Sequence, residues 1–355
     1  MSKHLSIGEA AKKIGISSQT LRRWDKQEKF KSTRHPINNF RVYSSEQVDN
    51  FIQKLKQDFE EDKTYHSIEL SSYFSTENGQ LYNCDVLDFF SKLKSQSIDL
   101  IFADPPYNIK KAVWDTFESQ KKYIEWSMLW IEEAYRVLTP NGSLYVCGFS
   151  EILADLKWAT SSLFKGCKWL IWFYRNKANL GNDWGRSHES ILHLRKSRTP
   201  IFNIDEVRIP YNEHTLKYPR RKQAESSQYS NGKKEYIWEP NPLGAKPKDV
   251  FEIPTIANGS WEKYPHLTQK PVSLVKKLIL ASSNSDSTIL DPFGGSGTTY
   301  AVAESLNRKW LGCELNTEYC EVIKSRLLDN EHLERIKSGV DEEKSNKLRK
   351  KLRGY

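Results

Sequence analysis

The chain has 355 residues, 38% of them hydrophobic and 28% charged, with 54 Lys and Arg against 45 Asp and Glu and a formal net charge of +9. That length suffices for one large core and one small one, and the excess base favours a polyanionic partner. No apolar run reaches membrane-spanning length and none at the start resembles a signal peptide, so the expected setting is cytoplasmic, with no membrane partner. The five cysteines (84, 147, 167, 313 and 320) form no Cys-x-x-Cys pair. They read as reduced core thiols, and the spacing of Cys313 and Cys320 fits no zinc pattern, so no metal is expected.

In chain order, the first element is a short helix, because Ile7, Ala10, Ala11 and Ile14 recur at helical spacing before Gly15. Ser17 and Ser18 offer an N-cap for a second helix, packed through Leu21 and Trp24. The outward face of that second helix carries Gln19, Arg22, Arg23 and Lys26, side chains able to reach phosphates and base edges. Pro36 to Asn39 then reads as a turn between two extended pieces, and Ser44 or Ser45 caps a third helix. This order resembles the winged helix-turn-helix of MerR-type regulators and phage excisionases over roughly residues 1–55. The resemblance places Arg34 and Arg41 on the wing. The competing reading is a packing module with a solvated basic face. Residues 56–66 are charged and apolar-poor, which reads as a linker.

From Ser67 onward strands and helices alternate. Gly79 to Tyr107 reads strand, helix, strand; a long helix follows, then a turn at Pro140-Asn141-Gly142 and another strand. Two further strands lie in "KWLIWFYR" and "ESILHLRK". The alternation predicts an α/β sheet of parallel type with paired strands late in the unit. Arg195 to Ser260 breaks the pattern with a segment rich in Pro, Lys, Arg, Tyr and Trp.

Two stretches carry chemistry. "LIFADPPYNI" ends a buried strand abruptly at Asp104-Pro105-Pro106-Tyr107, since neither proline can donate to a ladder. The carboxyl end of a strand in an open α/β sheet is where ligands bind. "STILDPFGGSGTTYAVAESLNRKWLGCELN" reads strand, glycine turn, helix, strand, and closes on Glu314, some 20 residues after Asp291, where an acid would meet a ribose. The turn contains Asp-Pro-Phe rather than G-x-G-x-x-G, which argues against a dinucleotide enzyme.

Together these motifs resemble the β-class S-adenosylmethionine-dependent DNA amino-methyltransferases, in which the target-base motif precedes the cofactor motif. "HLTQKP" resembles the family's HPTQKP segment, with Leu267 in place of proline; "NCD" at 83–85 and "SHESILHLRK" match two further segments. The resemblance implies a Rossmann-like sheet with helices on both faces over 67–330, a loop-rich target-recognition insertion at 199–259 and a charged C-terminal tail at 331–355. It also implies S-adenosylmethionine as cofactor. Asp104 and the Pro105 carbonyl would accept the hydrogens of a flipped base's amine, with Pro106 stiffening the turn and Tyr107 offering a stacking face. Asn108 would serve either behind these residues or in the turn itself.

The cofactor would meet Asp85, Asp104, His266, Thr268, Lys270, Asp291, Phe293, Gly294, Gly295, Ser296, Gly297, Thr298 and Glu314. Ser296 and Thr298, with helix amides, would hold its carboxylate. In the insertion, Arg220, Arg221 and Lys222 would contact DNA phosphates. An Asp-first motif favours adenine N6 over cytosine N4. An inactive DNA-binding regulator and an RNA methyltransferase are the other readings. Double-stranded DNA is the expected partner, and the sequence leaves open both a homodimer and a cognate restriction endonuclease.

Overall fold

The structure, a computed structural model, describes residues 4–14, 21–22, 24–25, 30–36, 38–61, 71–108, 115–175, 182–224 and 235–339. It divides into two compact units, residues 1–69 and 70–355.

The first unit contains β1 (His4–Ser6), α1 (Ile7–Ile14), β2 (Thr33–Arg34), β3 (Arg41–Ser44) and α2 (Ser45–Glu61). β3 lies between β1 and β2, antiparallel to both. The β2–β3 pair is the hairpin that the turn at 36–39 requires. Asn39 takes a left-handed backbone there (φ 56°), which Asn tolerates better than most residues. Ala10, Ala11, Leu21, Phe30, Tyr43 and Val48 form the core, with Trp24 packed against it. Residues 21, 22, 24 and 25 are helical, as expected of the second helix. Gln19, Arg23 and Lys26 lie outside the described residues.

The second unit is built on a nine-stranded mixed sheet. Its elements in chain order are β4 (Phe74–Ser75), β5 (Gly79–Asn83), α3 (Val86–Lys92), β6 (Ile98–Ala103), α4 (Gln120–Val137), β7 (Leu138–Gly148), α5 (Ser150–Ala159), β8 (Gly166–Phe173) and β9 (His188–Arg195). Then follow α6 (Glu213–Lys217), β10 (Arg221–Ala224), β11 (Glu235–Trp238), β12 (Val250–Glu252), α7 (Val272–Ser282), β13 (Thr288–Asp291), α8 (Thr298–Ser305), β14 (Lys309–Glu314), α9 (Thr317–Leu328) and α10 (Asn330–Ser338). The sheet order is β12-β8-β9-β7-β6-β13-β14-β5-β4. The run from β5 through β14, β13 and β6 to β7 is parallel throughout, and β9 pairs antiparallel with β7 and β8. Alternate residues of one strand serve opposite faces. Leu100 and Phe102 pack with Val275, Leu278 and Tyr300, whereas Ile101 and Ala103 pack with Phe90, Trp130 and Ile131. Helices therefore cover both faces, which is the fold class expected.

Three boundaries differ from the sequence expectation. The Pro140-Asn141-Gly142 turn lies inside β7, as an irregularity where pairing with β6 jumps from Ile98–Leu138 to Leu100–Ser143. The insertion protrudes less than its 199–259 span suggests. Asn203 donates to the carbonyls of Leu280, Ala281 and Ser283, tying its start to α7, and β12 adds to the sheet edge beside β8. Between them lies a hairpin, β10 with β11. The tail expected from 331 begins as the packed helix α10, with His332 and Ile336 buried and the Leu333 carbonyl accepting from Ser305.

Candidate active site

Four neighbouring parallel strands deliver four acids to one edge of the sheet. Asp85 follows β5, Glu314 closes β14, Asp291 closes β13 and Asp104 follows β6. All four line a cavity of ≈ 670 Å³, within the size range of small-molecule sites. The two motifs meet because Leu100 and Ile101 pair with Ile289 and Leu290 across β6 and β13.

On the glycine side, the chain turns through Gly295 (φ 52°) and Gly297 (φ 74°), left-handed positions that glycine adopts without strain. A side chain at Gly295 would meet the His266 ring at 3.2 Å. Glu314 holds the turn from β14. Its Oε2 accepts the Gly295 N–H and its Oε1 the Asn316 N–H, each at 2.8 Å. Phe293 packs edge-on against Trp130. Burial pushes Glu314 above the usual carboxylate range. Burial also raises Asp291 to about 8, although donors from Thr299 and Phe293 pull the other way. His266, lowered to about 4 chiefly by burial, is neutral at pH 7. Asp85 caps α3 through the Leu87 N–H. Thr268 and Ser296 complete this wall.

Thr298 departs from its expected role. Its hydroxyl donates to the Lys270 carbonyl at 3.1 Å and accepts from Arg326 Nη1 at 2.9 Å, so its proton is already committed. Arg326 is fully buried and also donates to the Ser296 carbonyl.

On the other side, Lys270 Nζ donates to Asp104 Oδ2 at 2.6 Å and the Tyr107 hydroxyl donates to Asp104 Oδ1 at 2.6 Å. Glu189, on β9, stands behind both donors, 3.3 Å from the Tyr107 hydroxyl and 3.6 Å from Lys270 Nζ. Burial alone would lower Lys270, but the Asp104 and Glu189 carboxylates hold it above the ordinary lysine range. Burial and the same two carboxylates push the Tyr107 hydroxyl well up. The turn is fixed from below: Asp115 Oδ1 accepts the Tyr107 N–H at 2.6 Å. Asn108 serves the turn, with a left-handed backbone (φ 55°) and its side-chain oxygen accepting the Phe117 N–H.

Tyr107 does not present the open face expected of it. The ring is only 9% exposed, meets Phe149 edge-on, and has Lys270 Nζ 5.2 Å from its centroid. The reason is electrostatic: the Asp104 carboxylate draws both donors, and one of them covers the ring.

Sequence reasoning missed Glu189, Asp115 and Arg326. Glu189 lies within the "SHES" stretch already matched as a segment. Asp115 and Arg326 carry no local signal, because their partners are set by packing.

The nucleic-acid candidates fare unevenly. Arg22 and Arg34 are exposed. Arg41 is partly covered, and its Nε donates to Asp25 at 2.6 Å, a bond within the module. Arg220 is exposed and pairs with Glu239 at 2.8 Å, Lys222 is exposed, and the Arg221 side chain lies outside the described residues. Among the described residues there is no cluster of metal ligands and no helix long and apolar enough to cross a membrane.

A mixed sheet with an acid-lined cavity at its strand ends, a glycine turn on one side and an Asp-Pro-Pro-Tyr turn on the other defines the class of DNA amino-methyltransferases. The "DNA methylase" family of N6 and N4 enzymes matches residues 98–325, and the chain belongs to that family. The chain is similar to the Type II methyltransferase M1.MboII of Moraxella bovis, 33% identical over 255 residues, covering 68% of this chain and 94% of that protein. It is also similar to the DNA adenine methyltransferase YhdJ of Escherichia coli (strain K12), 32% identical over 258 residues, covering 72% and 84% respectively. The solved PvuII DNA methyltransferase (cytosine-N4-specific) shares the fold, with a TM-score of 0.55 at 20% identity over 76% of this chain and 95% of that one. A MerR family regulatory protein model matches residues 6–43. The methyl donor of the family is S-adenosylmethionine. The site suits that cationic nucleoside: carboxylates dominate the cavity's charged lining, and the glycine turn leaves room beside His266.

Proposed function

We propose that the chain methylates the N6 amine of adenine in double-stranded DNA. The observation that carries this reading is the Asp104–Tyr107 turn standing on the strand beside the glycine turn, with an aspartate at the amine-accepting position. When bound, S-adenosylmethionine supplies an electrophilic methyl group on a sulfonium. Asp85 and Glu314 would hold its adenosine, and the amides of the 294–298 turn its amino-acid end. The Asp104 carboxylate and Pro105 carbonyl accept the two hydrogens of the target amine. That draws its lone pair out of conjugation and aims it at the methyl. The fixed turn contributes through positioning and preset charge. The base must leave the duplex to reach this edge. The insertion, with Arg220, Arg221 and Lys222, would select the site, and the first unit would add phosphate contacts through Arg22 and Arg34.

Nucleoside mass analysis of DNA treated with the enzyme tests the base assignment. N6-methyladenine is expected, and N4-methylcytosine in its place would reassign the target.

A further inference from the structure

We propose that Glu189 is a positioning residue that takes the Lys270 and Tyr107 donors off Asp104 when the target amine arrives. The inference rests on the amine-accepting role of Asp104 proposed above and deepens it.

In the arrangement described, Asp104 is not poised to polarise an amine. Each of its oxygens already accepts a 2.6 Å bond, one of them from an ammonium. An amine arriving there finds both oxygens already engaged, and short bonds to it need those donors to give way. Glu189 offers a second seat for both donors. It is a carboxylate with 13% side-chain exposure on a rigid central strand. Its described contacts to the Tyr107 hydroxyl and to Lys270 are the long ones, 3.3 and 3.6 Å. A largely covered carboxylate gains when such contacts shorten. A shift of roughly 1 Å by Lys270 Nζ would bring it from the 3.6 Å separation to hydrogen-bonding distance of Glu189. The Asp104 oxygens would then be open to the amine's hydrogens. No group is gained or lost by the protein, only the partners of two donors.

The test uses the full chain, S-adenosylmethionine and unmethylated bacterial genomic DNA. Glu189→Gln should lower the single-turnover methylation rate about 100-fold, while cofactor affinity by calorimetry stays within about twofold and the DNA KM changes little. Glu189→Asp should recover at least tenfold of that loss. An unchanged rate in Glu189→Gln overturns the proposal. So does a rate loss matched by an equal loss of cofactor affinity or thermal stability, which marks a merely structural carboxylate. If wild-type enzyme yields no methylated base, the amine-transfer reading itself falls, an outcome visible before any variant is compared.

Discussion

Lys270 and Asp104, 166 positions apart, form a 2.6 Å ion pair at the carboxyl edge of the sheet, with Lys270 only 6% exposed. The pair joins the segment before α7 to the turn after β6. Lys270→Met removes the cation and leaves Asp104 and Glu189 facing each other. Breaking a buried pair from one side costs about 3–5 kcal/mol. Denaturant unfolding of the variant should show a loss in that range.

Asp104→Ala should abolish methyl transfer and leave cofactor binding within a few-fold, because Lys270 keeps Glu189 as its counter-ion. Calorimetric titration with S-adenosylmethionine beside a methyl-incorporation assay checks both halves. Retained transfer would show that Asp104 is not the acceptor.

Arg326 reaches the site through Ser296 and through Thr298, whose hydroxyl it meets at 2.9 Å and which in turn holds the Lys270 carbonyl. Thr298→Val removes that relay and strands a buried guanidinium bond, at a cost of about 1–3 kcal/mol. Thr298→Ser should restore it. Thermal unfolding of the two variants should separate them clearly.

Three histidines set an acid limit. Burial is the leading cause in each, lowering His193 to about 3 and His266 and His332 to about 4. The unfolded chain therefore binds protons that the native one refuses as pH falls from about 6.5 towards 4. Stability from these groups is complete above that window and is lost through it. Asp291, raised to about 8, works in the opposite direction, being protonated in the fold while ionised in the unfolded chain. The histidines outnumber it, so the unfolding midpoint should drop between pH 6.5 and 4. His193→Gln should flatten the slope.

In the first unit, Arg41 and the exposed Arg22 and Arg34 should behave differently. Asp25 is held down at about 2: burial raises it, but Arg41 and Ser32 hydrogen bonds outweigh that. Arg41→Ala should loosen the module. Arg22→Glu with Arg34→Glu should leave it folded while weakening DNA binding. Each lost phosphate contact lowers the salt slope by about 0.9. Affinity measured at several salt concentrations distinguishes the two, and an unchanged slope would remove Arg22 and Arg34 from the interface.

The sequence alone determined the strand-and-helix alternation, the two motifs and their order, and with them the family. Those signals are local: a strand stopped by prolines announces itself, as does a glycine turn between strand and helix. It also placed Asp85, Asp104, Asp291 and Glu314 at strand ends. Only the tertiary structure decided that these ends lie on adjacent strands, since pairing of Leu100 with Ile289 spans most of the unit. The same holds for the Lys270–Asp104 pair, the Glu189 carboxylate behind it, Asp115 beneath the Asp104–Tyr107 turn and Arg326 behind the glycine turn. A buried charge recruits whatever partner the packing brings within about 3 Å, and neither the distance nor the partner is written in its neighbours along the chain. Arg41 shows the same thing from the other side: the resemblance placed it on the wing, and the fold pairs its Nε with Asp25, 16 positions away.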